Sequence, residues 1–209
     1  MRILIVDDHA VVREGLKHIL SHLPEQSDIC EAQDGQEAMR MVREADWSVV
    51  LLDVGLPDKN GLDVLKQIKR EKPALPVLIL SMFPEDQYAI RMLRAGASGY
   101  LTKESAPDQL LSAIALATKG EKYVSPAVAA QLVAGLGGRP DEALHEALSD
   151  REFQILQMIA SGSTVGEIAT QLNLSVKTVS SYRTRVLEKL QLKNNAQLMV
   201  YAMTHGLLS

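Results

Sequence analysis

The sequence predicts a doubly wound parallel α/β sheet followed by a small all-helical domain, and three observations carry that prediction. Apolar runs of strand length alternate with helix-period segments through the first 120 residues. Two of those runs, in "ILIVDD" and "VVLLD", end on carboxylates. From Ser149 onward the strand signal vanishes and short, separately capped helices replace it.

Five strands are expected: Ile3–Val6, one around Ile29, Val49–Leu52, Val77–Leu80 and one around Tyr100–Leu101. Helix-period segments follow each of them, at Val11–Leu20, Gln36–Arg43, Leu62–Arg70, Gln87–Arg94 and Gln109–Thr118. Strands that alternate with helices form a parallel sheet covered on both faces, which explains why Val49–Leu52 is apolar without interruption. "YVSPAVAAQLVAGL" permits a short helix started at Pro126. "GLGGRPDEALHEAL" then has the glycines and proline of a joint, so residues 121–145 read as a linker.

The last segment, 146–209, opens with Ser149 and Glu152 spaced as a capping box, and its first helix stops at Gly162. Thr164 and Glu167 repeat the device before "IATQL". Asn173 marks a tight turn, Ser175 caps a longer helix through Leu190, and Ala196–Thr204 forms the last one before Gly206. Two short helices joined by a tight turn suit a helix-turn-helix.

The chain has 209 residues, 46% of them hydrophobic, and a single cysteine, Cys30. One cysteine excludes an internal disulfide framework and any CxxC metal site, and Cys30 reads as a small buried hydrophobe. No apolar stretch has the length of a membrane span, and the acidic start excludes a signal peptide, so a cytoplasmic protein without membrane partners is expected. The net charge of −4 is unevenly spread: residues 172–193 carry five basic side chains against one acidic. A basic segment confined to one end of an acidic chain points to two functions.

Parallel strands bring their carboxyl ends to one sheet edge, where ligands of such sheets bind. Asp7, Asp8, Asp53, Ser81 and Lys103 would meet there. Crowded carboxylates repel, and a hard divalent cation relieves that repulsion; Mg²⁺ suits a site with few carboxylates and several waters. With Lys103 and the Ser81 hydroxyl added, the set can stabilise a phosphoryl group moving onto Asp53 as nucleophile. An aspartate-nucleophile phosphatase would need a second carboxylate two residues after Asp53, where Gly55 stands.

"ILIVDDH", "LLDVGLPDKNG", "LSMF" and "GYLTK" together resemble the signature elements of a response-regulator receiver domain of flavodoxin-like fold, over residues 1–120. The resemblance implies that Asp53 is the phosphoacceptor of a sensor histidine kinase. It implies Asp8 as direct ligand of Mg²⁺, Asp7 as a ligand through water and Gly55 as a carbonyl ligand. Lys103 and Ser81 would hold phosphoryl oxygens, and Tyr100 would be the aromatic switch. Ser81 stands where threonine is frequent and Gly55 where a larger side chain is usual. The bare glycine leaves room for water, from which a short phosphoryl lifetime is expected.

Helix 175–190 has apolar or aromatic residues at 176, 179, 182, 186, 187 and 190, which forms one stripe for burial. The opposite face carries Lys177, Ser180, Ser181, Thr184, Arg185 and Lys189. "LSDREFQILQMIASG" and "EIATQLNLSVKTVSSYRTRVLEKLQL" resemble the LuxR-type DNA-binding domain of NarL/FixJ-family regulators. The resemblance implies double-stranded promoter DNA as partner. Ser180, Ser181, Thr184 and Arg183 would face bases, and Lys177, Thr178, Arg185 and Lys189 would face the backbone. Hydroxyl readout is weaker than bidentate arginine–guanine contacts, so a homodimer is expected to supply much of the affinity. Leu198, Tyr201 and Ala202 of the last helix are its candidate contact. The alternative reading is a phosphorylation-independent DNA-binding regulator whose receiver is a structural dimerising module.

Overall fold

The computed structural model describes residues 1–23, 27–82, 85–105, 107–135 and 144–207. The chain divides into two compact units, 1–137 and 138–209.

In the first unit the elements run β1 (Arg2–Val6), α1 (Ala10–Leu20), β2 (Asp28–Ala32), α2 (Gly35–Glu44), β3 (Val49–Asp53), α3 (Gly61–Glu71), β4 (Val77–Ser81), α4 (Glu85–Arg94), β5 (Gly99–Thr102) and α5 (Pro107–Ala117). All five strands are parallel in the order β2-β1-β3-β4-β5, the expected doubly wound sheet. The order reverses between β1 and β3, so the crevice at their carboxyl ends is the topological switch point. Ile3, Ile5, Val49, Leu51, Leu78, Leu80 and Leu101 face one side and pack with Leu16 and Leu20 of α1 and Leu110, Ala113, Ile114 and Ala117 of α5. The alternate residues Leu4, Val50, Leu52 and Ile79 are equally buried, so both faces of the sheet are covered. Edge strand β2 is only partly covered, and Cys30 on it is half-buried rather than buried.

The segment assigned to the linker is not all joint. The Tyr123 N–H donates to the Ser98 carbonyl at 2.8 Å, and Tyr123 forms a parallel bridge with Gly99. Helix α6 (Pro126–Gly135) packs on α4, Val128 is buried and the Ser125 hydroxyl bonds to Glu85. Residues 121–135 therefore complete the first unit, because an apolar helix beside an open strand edge gains more by docking than by staying in water. Residues 136–143 of the expected joint, and Phe83 of "LSMF", lie outside the described residues.

The second unit is helical: a 3₁₀ turn (Leu144–Ala147), α7 (Asp150–Ala160), α8 (Val165–Gln171), α9 (Val176–Lys189) and α10 (Asn195–Thr204). Both capping boxes form, at Ser149/Glu152 and Thr164/Glu167, and Ser175 caps α9 by accepting the Thr178 N–H. Asn173 turns the chain between α8 and α9 with φ at +52°, a left-handed conformation that asparagine tolerates better than most residues. Leu198 and Ala202 are fully buried in this unit's own core, which removes them from the expected dimer contact; Val200 and Met203 are exposed large hydrophobic residues of α10.

Candidate functional site

The pocket is assembled from strand ends. β1 delivers Asp7 and Asp8, β3 delivers Asp53 as its last residue, β4 ends on Ser81, and Lys103 follows β5. Asp53 sits at the end of a strand whose every residue is buried; the strand is paired with β1 as far as Leu52, and Asp53 itself is in register with Leu80 of β4. Asp53 as a residue is 5% exposed and Asp7 2% exposed.

Lys103 lies between them. Its Nζ is 2.6 Å from Asp7 Oδ2 and 2.9 Å from Asp53 Oδ2. Burial works against the ammonium, but Asp53 and Asp7, by charge and by hydrogen bonding, raise its pKa above that of an ordinary lysine. Burial also pushes the Asp53 carboxyl above the usual carboxylate range; Asp7 adds to that, while Lys103 and the Gly55 N–H oppose it. One ammonium thus serves two buried carboxylates.

Ligand atoms of Asp7, Asp8, His9 and Asp53 all lie within 4.8 Å of one another. Three carboxylates at that spacing, two of them sharing one lysine, form a donor set of hard oxygens that fits a divalent cation such as Mg²⁺. The sequence reading did not single out His9. Its ring Nδ1 is 2.7 Å from Asp8 Oδ1, and its N–H donates to Asp7 Oδ1 at 2.8 Å.

The loop after Asp53 is held at both ends. The Gly61 N–H donates to the Val54 carbonyl at 2.9 Å, and Asn60 caps α3. The Asp58 carboxylate accepts the N–H groups of Gly35 and Gln36 at 2.8 and 3.0 Å, so the loop is fastened to the start of α2. A Cβ on Gly55 would stand 3.5 Å from Asp53 Oδ2, so residue 55 borders the carboxylate directly. Ser81 is buried, and its carbonyl accepts the Lys103 N–H at 2.8 Å. Tyr100 is buried on β5, opposite Ile79 of β4 in the register.

In the second unit α8 packs on α9. Lys177, Ser180, Ser181, Thr184, Arg185 and Lys189 are exposed, as the wheel of α9 requires. Ser181 and Thr184 donate their hydroxyl protons back to the carbonyls of Lys177 and Ser180. The Thr178 N–H and hydroxyl are engaged with the Ser175 cap. Two candidates are tied down. Arg183 Nε donates to Asn195 Oδ1 at 2.6 Å, and Lys189 Nζ is 2.6 Å from buried Glu152 and 3.3 Å from the Ala147 carbonyl. Val176, expected in the buried stripe, is 56% exposed, whereas Val179 in the same turn is fully buried. Tyr182 is half-buried, with the Arg185 guanidinium 5.7 Å from its ring centroid. Among the described residues no helix is long and apolar enough to cross a membrane.

Residues 3–115 match the response regulator receiver domain family, and residues 146–202 match the bacterial regulatory proteins of the luxR family. The response regulator GacA of Pseudomonas protegens is 37% identical over 207 residues, covering 99% of this chain and 97% of that protein. UvrY of Escherichia coli K12 is 36% identical over 208 residues, covering 99% and 95%. Among solved structures, RcsB of Salmonella enterica serovar Typhimurium, bound to the promoter rprA with the phosphomimetic BeF₃⁻, has a TM-score of 0.63 at 28% identity, covering 98% of this chain and 99% of that one. A structure of two RcsB dimers on two parallel DNAs has a TM-score of 0.60 at 30% identity, with 98% of each chain covered. Matches in both halves, in this order and along nearly the whole of the curated relatives, make the chain a member of the NarL/FixJ-family response regulators, transcription regulators with a receiver domain and a LuxR-type DNA-binding domain.

Proposed function

We propose that this regulator accepts a phosphoryl group on Asp53 from a sensor histidine kinase in a Mg²⁺-dependent step and, as a homodimer, binds double-stranded promoter DNA in the cytoplasm. The observation that carries the reading is Lys103, held between Asp7 and Asp53 at 2.6 and 2.9 Å at the switch point of the sheet. An Asp53 oxygen attacks phosphorus, the P–N bond of the kinase's phosphohistidine breaks, and the imidazole departs with the electron pair. Lys103 exchanges its bond to Asp53 for one to a phosphoryl oxygen, and the Ser81 hydroxyl donates to another. Asp8 and Asp53, the Gly55 carbonyl, and Asp7 through water would hold the cation. Bound there, Mg²⁺ supplies positive charge for the phosphoryl oxygens.

Movement of Ser81 then reaches Tyr100 and the surface of α4, β5 and α5. Lys177, Arg185, Ser180, Ser181 and Thr184 are the exposed candidates for DNA contact. Thr178, Arg183 and Lys189 first have to leave the partners described above. The RcsB complex on promoter DNA with BeF₃⁻ supports the pairing of phosphorylation with DNA binding, and the RcsB dimers on DNA support the homodimer.

The test is promoter binding at fixed salt, with and without Mg²⁺ and beryllium fluoride, for wild type and Asp53→Ala. Tighter binding that requires both the mimic and Asp53 is expected. Equal binding by both proteins under all conditions overturns the phospho-switch and leaves the receiver as a structural dimerising module. Gly55→Met, which fills the space beside Asp53, is expected to slow dephosphorylation; an unchanged rate refutes the open-pocket argument.

A further inference from the structure

Asp7 and Asp8 hang from the end of β1, where the last ladder contact is the Asp7 N–H donating to the Ala32 carbonyl at 3.1 Å. The Asp7 carbonyl is taken by Arg13 of α1, whose Nη1 donates to it at 2.7 Å. The Nε of the same guanidinium donates to Glu31 of β2 at 2.8 Å. Glu31 is braced in turn by Lys17 at 2.6 Å, and hydrogen bonds from Lys17 and then Arg13 hold its carboxyl below the usual glutamate range. One largely buried side chain, 16% exposed, thus joins α1, the end of β1 and β2 directly behind the acidic pair.

We propose that Arg13, braced by Glu31, is a positioning residue that holds the Asp7–Asp8 turn in the arrangement the divalent cation requires. The inference rests on the pocket reading given above. Arg13 touches its targets through the Asp7 backbone and Glu31, so it acts on the cation only through the carboxylates it fixes. Its planar fork makes two bonds in different directions at once, which fixes orientation in a way a lysine ammonium cannot. Mg²⁺ demands near-octahedral oxygens and tolerates little displacement of them, so a small drift of this turn registers as lost affinity. Losing partners that orient metal ligands typically costs about 10–100-fold in metal affinity.

Electrostatics and positioning predict opposite signs here, which makes the inference testable. Removing a positive charge near three carboxylates strengthens cation binding if Arg13 acts by charge alone. Removing a positioning group weakens it. The experiment uses the full chain with Mn²⁺ as probe, free Mn²⁺ read by electron paramagnetic resonance, and Mg²⁺ added in competition. Arg13→Met is expected to weaken both cations about tenfold or more. Arg13→Lys is expected to fall between it and wild type, and Glu31→Gln to weaken binding less, because Arg13 keeps its bond to Asp7.

Arg43→Met is the control for a merely structural role. It breaks a bidentate pair at 2.7 and 2.8 Å with Glu71, whose carboxyl Arg43 holds down to about 2, away from the pocket. It should leave the cation constants unchanged. Unchanged or tighter binding by Arg13→Met overturns the inference. So does a loss no larger than the loss of folded protein, read by fluorescence of Trp47, the single tryptophan. A wild type that takes up no cation overturns the pocket reading and this inference together. A wild type that binds, with Arg13→Met equal to it, overturns this inference alone.

Discussion

Gly61→Ala tests whether the backbone of Asp53 is clamped by the start of α3. A Cβ built on Gly61 would lie 2.3 Å from the Asp53 carbonyl oxygen, 2.6 Å from Val54 Cα and 3.0 Å from the Asp53 carbonyl carbon. All three are backbone atoms of the strand end, so no side chain can rotate away. Ordinary contact begins near 3.4 Å, and the strand and helix must separate by about 1 Å. Overpacking of this kind costs about 3 kcal/mol. Stretching the Gly61 N–H bond to the Val54 carbonyl adds about 1 kcal/mol. Alanine's better helix propensity returns up to about 1 kcal/mol, for a net loss of about 3 kcal/mol. Trp47 lies in the first unit, so its fluorescence in a urea titration reports that unit. With a slope of about 2 kcal/mol/M, the midpoint should fall by about 1.5 M. Acetyl phosphate should also label Asp53 more slowly, because the nucleophile has been displaced. Gly15→Ala is the matched control: nothing lies within 4 Å of its Cβ, so the midpoint should rise slightly. A Gly61→Ala protein with a wild-type midpoint and wild-type labelling would refute the clamp.

Three further outcomes are expected. Because folding raises the Asp53 pKa, the folded state binds that proton more readily than the unfolded chain. Stability therefore falls as pH rises from the unfolded carboxylate value through the raised folded one. Asp53→Asn should be more stable than wild type at pH 7, with a gap that closes below about pH 4; a gap independent of pH sinks the assignment. Glu152 is the reverse case: burial opposes its charge, but Lys189 and Ser149 prevail and lower its pKa. Its contribution is present above the unfolded glutamate value and lost as pH falls through the folded one. Glu152→Ala should cost the second unit about 2 kcal/mol, read by hydrogen exchange of α7, and more than Glu167→Ala in the exposed box; equal losses refute the role of burial. Lys177→Ala should lower the salt slope of DNA binding by about 1. Lys189→Ala should leave that slope alone while destabilising the unit, and a changed slope would show that Lys189 exchanges Glu152 for phosphate on DNA.

Sequence reasoning reached the sheet and the membership of its pocket for one physical reason. Parallel strands all end at one edge, so residues that end separate apolar runs must become neighbours. Asp7, Asp8, Asp53 and Lys103 meet because of topology, and topology is visible in the alternation of runs. The pairings inside the pocket were not legible. Arg13 and Glu31 are 18 residues apart and meet only once β1 and β2 are paired. Asp58 reaches back 23 residues to Gly35. A helical wheel for α9 identifies the outer face but not what stands beside its ends. Lys189 and Arg183 therefore looked free, while Glu152 and Asn195 hold them, and Val176 looked buried although in its turn only Val179 is in the core. The apolar pattern of α10 likewise could not separate Leu198 and Ala202, which serve the unit's own core, from residues available to a partner.

The resting pocket also offers the proposed signal at Asp53 a route to β4 and β5. Lys103 is the ammonium that Asp7 and Asp53 share, and its backbone N–H is bonded to the Ser81 carbonyl. Ser81 and Thr102, the residue before Lys103, are register partners across the β4–β5 ladder. In the proposed reaction the phosphoryl oxygens take the place of Asp53 on the Lys103 ammonium while they recruit the Ser81 hydroxyl. Both residues that respond belong to one hydrogen-bonded pair of strand ends, so they move together or not at all. A packed sheet end has few intermediate arrangements, because small displacements there break close contacts rather than stretch them. In the proposed switch, a charge change at one buried carboxylate would be converted into a choice between discrete positions of the β4 end. The α4 helix packs on β5, and the α6 segment is docked on α4.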